Sequence, residues 1–304
     1  MRTVARLLSC ALLLTLAGCA AVTRVGVHFL YRRADLPAEQ VVRDVCYAEG
    51  GDHGTDQQRL DLYLPAAGHD WPLLVFIHGG GWDSGDKNLR AGGADVYANI
   101  GRYFATQGVC TAVINYRLQP AVDWRAQVTD VGEAVHWLHE HGGAYGGNGE
   151  HIFLMGHSAG GYLAAFVGLT ASAADSSAIR GVISVSGAGL DLTDSLTYAL
   201  GEDPRYYAKR FQRGDTTGAW RRRASPVTYV HRGAPPFLIL YAGGENVKLH
   251  RQARCLAEAL ARAGVEHEVV VVPGESHARI VLTLSRPDRT AVPAILAFIR
   301  AHAD

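Results

Sequence analysis

Residues 152–163 read IFLMGHSAGGYL: the apolar run Ile152 to Met155 passes through Gly156-His157-Ser158-Ala159-Gly160 into an apolar stretch that begins at Ala159. The setting carries more information than the G-x-S-x-G pattern itself. A strand that turns sharply into a helix pushes the serine out of the sheet, and flanking glycines allow the strained backbone and the close approach of neighbouring elements. The Ser158 hydroxyl is then offered to a substrate. A Gly-rich strand-to-helix turn with an incidental serine is the competing reading, and it calls for none of the companion motifs that lie further out.

The first companion is upstream. The run PLLVFI, residues 72–77, leads into His78-Gly79-Gly80-Gly81-Trp82. A glycine loop after a strand leaves backbone N–H groups unobstructed, and donors fixed in advance stabilise the oxyanion that forms during acyl transfer; one such donor is worth about 3 to 4 kcal/mol of barrier. Gly80, Gly81 and Ala159 are the expected oxyanion-hole donors. Phosphate cradling is the alternative use of such a loop, but no GK[ST] and no G-x-G-x-x-G follows a strand here.

Outward from these motifs the chain alternates. Arg43 to Tyr47 and Arg59 to Leu64 read as antiparallel strands flanking the turn-rich GGDHGTDQQ. Pro72 to His78, Val109 to Tyr116, Ile152 to Met155, Gly181 to Ser186, Phe237 to Tyr241 and Glu268 to Val272 read as buried strands. Helices are expected over Ala94 to Gln107, Asp123 to His141, from Ala159, over Leu249 to Ala263 and over Arg286 to Ala301. Buried strands alternating with helices imply an α/β fold, a mostly parallel central sheet with helices on both faces. Residues 187–230 break the rhythm. They form an insertion rich in arginine and aromatics, read equally as a flexible polar excursion or as a partial lid over a substrate pocket. Trp82, with Tyr206, Tyr207, Phe211 and Trp220 of the insertion, is assigned either to a substrate pocket, with Trp82 and Trp220 as the leading candidates, or to core packing.

Composition narrows the function. The 304 residues carry 29 Lys+Arg against 29 Asp+Glu with 48% hydrophobic content, enough for a sizeable core. With net charge +0 there is no basic surplus to hold nucleic acid by bulk charge. No CxxC or Cys/His ligand cluster appears, so neither a metal nor another cofactor is implied. His136, His139 and His141 gather near a helix end, where a solvated face is preferred over a metal site.

HGGGW at 78–82 and GHSAGG at 156–161, with NYRL at 115–118 between them, resemble the α/β-hydrolase superfamily over roughly residues 40 to 303. The nearest likeness is to its carboxylesterase branch, which includes hormone-sensitive-lipase-like esterases, the BD-FAE (feruloyl-esterase-like) group, prenylcysteine methylesterase-like proteins and kynurenine formamidases. The resemblance implies an acid and a histidine after the serine, in that chain order. Glu245 stands where related proteins usually carry Asp after the next-to-last strand, and His277 lies in the loop PGESHA after EHEVVVV. Asp191, Asp194, Glu202, Asp203 and Asp215 fall within the insertion and read as solvated surface. The implied activity is cofactor-free hydrolysis of a small-molecule carboxylic ester by Ser158, His277 and Glu245. Arylformamidase-like amide hydrolysis is the alternative, because GGENVKLHRQA also resembles the acid loop of that branch. A binding module that keeps the fold without catalysis is the third reading.

The N-terminus is an address. Arg2 and Arg6 precede an apolar stretch from Leu7 to Ala17, too short to span a bilayer comfortably, and Leu16-Ala17-Gly18-Cys19 resembles a lipoprotein lipobox. Residues 1–18 are therefore expected to be a signal peptide, Cys19 a lipidated anchor, 19–40 a tether and 41–304 the catalytic domain. Ala20 in place of an acidic residue favours, by resemblance, an outer-membrane lipoprotein facing the periplasm. Cys46, Cys110 and Cys255 are an odd number and cannot all pair.

Overall fold

The computed structural model describes residues 31–48 and 55–303. The leader at 1–18 with Cys10, then Cys19, the first part of the tether and the whole of GGDHG in the turn-rich stretch lie outside the described residues.

Eight strands form one sheet: β1 (Val41–Cys46), β2 (Arg59–Tyr63), β3 (Trp71–Ile77), β4 (Cys110–Ile114), β5 (Gly147–His157), β6 (Ile179–Val185), β7 (Phe237–Ala242) and β8 (His267–Val272). Their order is β1-β2-β4-β3-β5-β6-β7-β8. The first two strands pair antiparallel, as does β2 with β4. From β4 onward every pairing is parallel. The sheet is thus mostly parallel, as the alternation of apolar runs implies.

The helices are α1 (Val96–Thr106), α2 (Trp124–His141), α3 (Ala159–Thr170), the short α4 (Ala173–Ser176), α5 (Ser195–Ala199), α6 (Pro204–Phe211) and α7 (Trp220–Arg223), then α8 (Val247–Ala263), α9 (Arg279–Thr283) and α10 (Ala291–His302). Successive strand residues face opposite sides, so each buried strand feeds two cores. On β3, Leu73, Val75 and Ile77 join the cluster built with α2, α3 and α8, whereas Leu74 and Phe76 join the one built with α1 and α10. The same alternation separates Ile152 and Leu154 from Phe153 and Met155 on β5. Both faces are therefore covered, which is why the central strands carry no polar alternation.

The last helix, the insertion, its tryptophan partners and Asp194 differ from expectation. The last helix was expected over Arg286 to Ala301, but the turn around Pro287, which lacks an N–H, delays its start, and α10 runs from Ala291 to His302; the short α9 lies before the expected segment. The insertion is no polar excursion. Leu190, Leu192, Tyr207, Phe211, Trp220 and Ala224 are buried in the core beside α2 and α3. Trp82 is fully buried, edge-on to Phe211 at 5.0 Å and to Tyr162 at 5.5 Å between ring centres. Trp82 and Trp220 (4% exposed) thus pack in the core and do not present a face for substrate. Burying large aromatic surfaces anchors the segment to the domain, since each ring removes some 150–250 Å² from water.

Asp194 is likewise no free surface carboxylate. It caps α5 through Thr197 N–H and accepts two hydrogen bonds from Arg251 of α8, at 2.9 and 3.1 Å, which holds its pKa down at about 2. Cys110 and Cys255 are buried thiols whose pKa burial pushes up to about 12.

Candidate active site

Ser158 sits between β5 and α3 with φ 56° and ψ −116°, a conformation that L-residues rarely adopt. The strain is held by packing: Ser158 N–H donates to Val185 O on β6 at 3.0 Å. The two flanking glycines are dictated by contact. A Cβ on Gly156 would lie 2.1 Å from Gly160 O, and one on Gly160 would lie 2.1 Å from Ile77 O at the end of β3. Only hydrogen fits at either position, so the helix can start directly against the sheet.

Parallel strands deliver the partners to the same edge. Glu245 follows β7 and His277 follows β8, and the two loops are tied by Gly244 N–H to Glu275 O at 2.9 Å. His277 Nδ1–H donates to Glu245 Oε1 at 2.6 Å, and the Ser158 hydroxyl donates to His277 Nε2 at 2.9 Å, a tautomer assigned from the carboxylate partner. The Glu245 side chain is fully buried, while the His277 side chain is 37% exposed. The three residues form one hydrogen-bonded chain running from a buried carboxylate to a partly open hydroxyl. Such a chain can draw a proton from the serine and hold the resulting imidazolium against a counter-charge.

The histidine beside Ser158 in the turn also takes part. His157 Nε2–H donates to His277 O at 2.8 Å, so the residue next to Ser158 fixes the backbone of the histidine that accepts its hydroxyl proton in a hydrogen bond. Burial, then repulsion from His277, lowers the His157 pKa to about 3; burial lowers that of His78 to about 4. Both rings are therefore neutral. In the unfolded chain each would titrate near 6.5, so below that pH the unfolded state binds more protons than the folded state. The stability owed to keeping these rings neutral should be complete above about pH 6.5 and should drain away as pH falls through about 4 toward 3. Urea unfolding across pH 7 to 4 should show this decline, and His78→Gln should make it shallower; an equally steep decline in that variant would reject the assignment.

The glycine loop is gripped from three sides. A Cβ on Gly79 would sit 3.0 Å from His157 O and 3.2 Å from Ser158 Cβ, so this loop lies directly against the nucleophile turn. Gly80, at φ 120°, accepts hydrogen bonds from Ser84 N–H at 3.0 Å and Ser84 Oγ at 2.7 Å. The NYRL segment supports it from below: Tyr116 OH donates to His78 O at 3.0 Å, and its ring stacks on His78 at 4.3 Å. Asn115 Nδ2 donates to Asp86 Oδ2 at 2.9 Å, and Gln127 of α2 donates to Trp82 O at 2.8 Å. Within the loop, Gly80 and Gly81 N–H make no backbone hydrogen bond among the described residues, and Ala159 N–H lies in the first turn of α3, where helical N–H groups have no internal partner.

The third grip comes from the insertion and was missed. Arg210 of α6 donates from Nε to Gly81 O at 2.7 Å and from Nη2 to Asp83 Oδ2 at 2.8 Å, with its guanidinium 3.9 Å from the Tyr206 ring centre. An arginine among many in a polar segment gives no signal of this in sequence. Its planar fork is what lets one side chain hold a carbonyl and a carboxylate together. Arg210→Ala should lower kcat by roughly tenfold with KM changed little, as about one charged hydrogen bond that positions the loop is lost. Arg210→Lys should restore only part of it. A rise in KM of that size with kcat unchanged would assign Arg210 to substrate binding instead.

The BD-FAE family model matches residues 60–260, a span that includes the glycine loop, the nucleophile turn and Glu245. The chain belongs to the BD-FAE family. It is similar to the esterase LipQ of Mycobacterium tuberculosis, 30% identical over 235 residues that make up 73% of this chain and 53% of LipQ. It also resembles the probable isoprenylcysteine alpha-carbonyl methylesterase ICME of Oryza sativa subsp. japonica, 35% identical over 50% of this chain and 33% of that protein. The chain thus spans about half of LipQ and a third of ICME. Among solved structures, esterase B from Lactobacillus rhamnosis superposes with a TM-score of 0.72 at 24% identity, covering 96% of this chain and 95% of the other. That likeness gives the fold: this BD-FAE member has the α/β-hydrolase fold, with the mostly parallel sheet and flanking helices already described.

Proposed function

We propose that this protein hydrolyses small-molecule carboxylic esters through an acyl-enzyme intermediate. The observation that carries the reading is the hydrogen-bonded chain from Ser158 through His277 to buried Glu245, at 2.9 and 2.6 Å. Names of relatives such as LipQ, an esterase, support the same chemistry. Ser158 Oγ attacks the ester carbonyl while His277 Nε2 takes its proton, and Glu245 stabilises the imidazolium. The carbonyl oxygen, now anionic, is held by the N–H groups of Gly80, Gly81 and Ala159. Collapse expels the alcohol, which receives the proton from His277. A water then attacks the acyl group, His277 takes the water's proton, and the carboxylic acid leaves as Ser158 regains its hydrogen. All the charge handling falls to side chains and amides already in place. A fluorophosphonate probe should add once, at Ser158, and p-nitrophenyl esters should turn over faster than N-formylkynurenine. Labelling elsewhere, or a preference for the amide, would overturn the reading.

We also propose that the chain is exported as a lipoprotein, with residues 1–18 removed and Cys19 lipidated, and sits in the outer membrane facing the periplasm. Support comes from Leu16-Ala17-Gly18-Cys19 after a short apolar stretch with two arginines before it. A set of acyl chains is the strong anchor such a protein needs. Cys19→Ala should shift the protein from the detergent phase to the aqueous phase on Triton X-114 partitioning, and mass spectrometry of the mature wild type should find an acylated Cys19 at its N-terminus. A wild-type chain that keeps residues 1–18 would count against the lipobox.

A further inference from the structure

The face of α2 opposite the sheet ends in His136, His139 and Glu140, spaced so that all three lie on one side of the helix. One potential donor atom from each lies within 4.8 Å of the other two. Asp175, on α4, reaches across: its Oδ1 is 3.0 Å from His136 Nδ1 and 3.1 Å from His139 Nδ1. Asp175 is itself held in place, since Ser172 Oγ donates to its Oδ2 at 2.7 Å. On the other side of the second ring, Glu150 Oε1 of β5 lies 3.1 Å from His139 Nε2.

This arrangement has more acceptors than a neutral imidazole has hydrogens. His139 has a carboxylate oxygen on each ring nitrogen, and a neutral ring donates from only one of them, so its other lone pair faces an anion. A cation must fill that place. A metal ion does so when the ring is neutral, and here two imidazoles and a carboxylate stand within reach of one ion while Asp175 fixes both rings, the part that outer-shell carboxylates play at histidine metal sites. The C-terminal end of an 18-residue helix adds its negative dipole end beside the cluster. His136 and Asp175 also line a cavity of about 650 Å³ between the start of the sheet, α2 and α3, away from Ser158.

We propose that His136, His139 and Glu140, oriented by Asp175, bind a divalent transition metal of the Zn²⁺ class. Mixed imidazole and carboxylate donors suit Zn²⁺, Co²⁺ and Ni²⁺ and disfavour Ca²⁺ or Mg²⁺, which take oxygen alone. Tag-free protein should bind one Zn²⁺ by titration calorimetry at pH 7.5 and should develop a visible Co²⁺ absorption band that Zn²⁺ abolishes. His136→Ala and His139→Ala should each weaken Zn²⁺ binding by at least tenfold, and Asp175→Asn by about 10- to 100-fold. His136 is half exposed, so its replacement leaves folding intact and far-ultraviolet circular dichroism unchanged. Ester turnover should be unaltered in the His136 and His139 variants, because the cluster makes no contact with the Ser158 site. Zn²⁺ binding of unchanged strength and stoichiometry in the His136→Ala, His139→Ala double variant would overturn the proposal, as would the absence of any Co²⁺ band in wild type.

Discussion

Ser158→Ala is expected to reduce ester turnover by roughly 10⁵- to 10⁶-fold while leaving the circular dichroism spectrum and urea midpoint close to those of wild type. In the proposed mechanism the Ser158 hydroxyl is the nucleophile, and without it only the amide donors and substrate binding remain to assist attack by water. The fold should hold because the substitution removes the hydrogen bond of Ser158 Oγ to His277 while the backbone bond from Ser158 N–H to Val185 O, which supports the φ of 56°, survives the change. Fluorophosphonate adduct formation should vanish in parallel. A variant that retained more than a few per cent of wild-type kcat would place the nucleophile elsewhere.

Glu245→Gln is expected to lower kcat by about 10⁴-fold with KM changed little, because the imidazolium formed in the transition state loses its counter-charge and the amide favours the wrong His277 tautomer. The 2.6 Å contact makes the prediction sharp: with the Glu245 side chain fully buried, no solvent molecule replaces the lost charge. Glu245→Asp should retain part of the activity, since a shorter arm must draw the β7 loop toward His277. Steady-state kinetics with a p-nitrophenyl ester distinguishes the cases. Should Glu245→Gln remain nearly as active as wild type, the acid must be sought elsewhere, yet Asp194 and Asp203 are already committed to capping α5 and α6.

The nucleophile turn and the glycine loop were legible because their residues are dictated by backbone contact: glycine at 156 and 160 is the only residue that fits, so the pattern is written into the sequence. Glu245 and His277 were legible through their places after strands, since parallel pairing brings the ends of β5, β7 and β8 to one edge. The insertion was illegible for a matching reason. Its charges outnumber its aromatics, and pattern reading weighs composition, whereas Tyr207, Phe211 and Trp220 bury themselves against residues far away in the chain. Arg210 and its bond to Gly81 O escaped because a contact across 129 positions leaves no local trace. The strand β5 begins earlier than Ile152, at Gly147, because Gly147 and Asn148 pair with Trp71 and Pro72 of β3 without burying an apolar face, while pairing with β6 starts at Ile152.

The separation of the site over β5, β7 and β8 has a kinetic consequence. Ser158 and His277 are 119 residues apart in the chain, and their hydrogen bond exists only after the last strand has docked beside β7. Each of these pairings closes a long loop before any contact offsets the lost entropy, so this topology belongs to the slow-assembling class. During refolding from urea, helical signal should therefore return ahead of fluorophosphonate reactivity, and reactivity should return together with protection of the β7 and β8 amides from hydrogen exchange. The serine's reactivity thus serves as a built-in clock for completion of the chain's final strand.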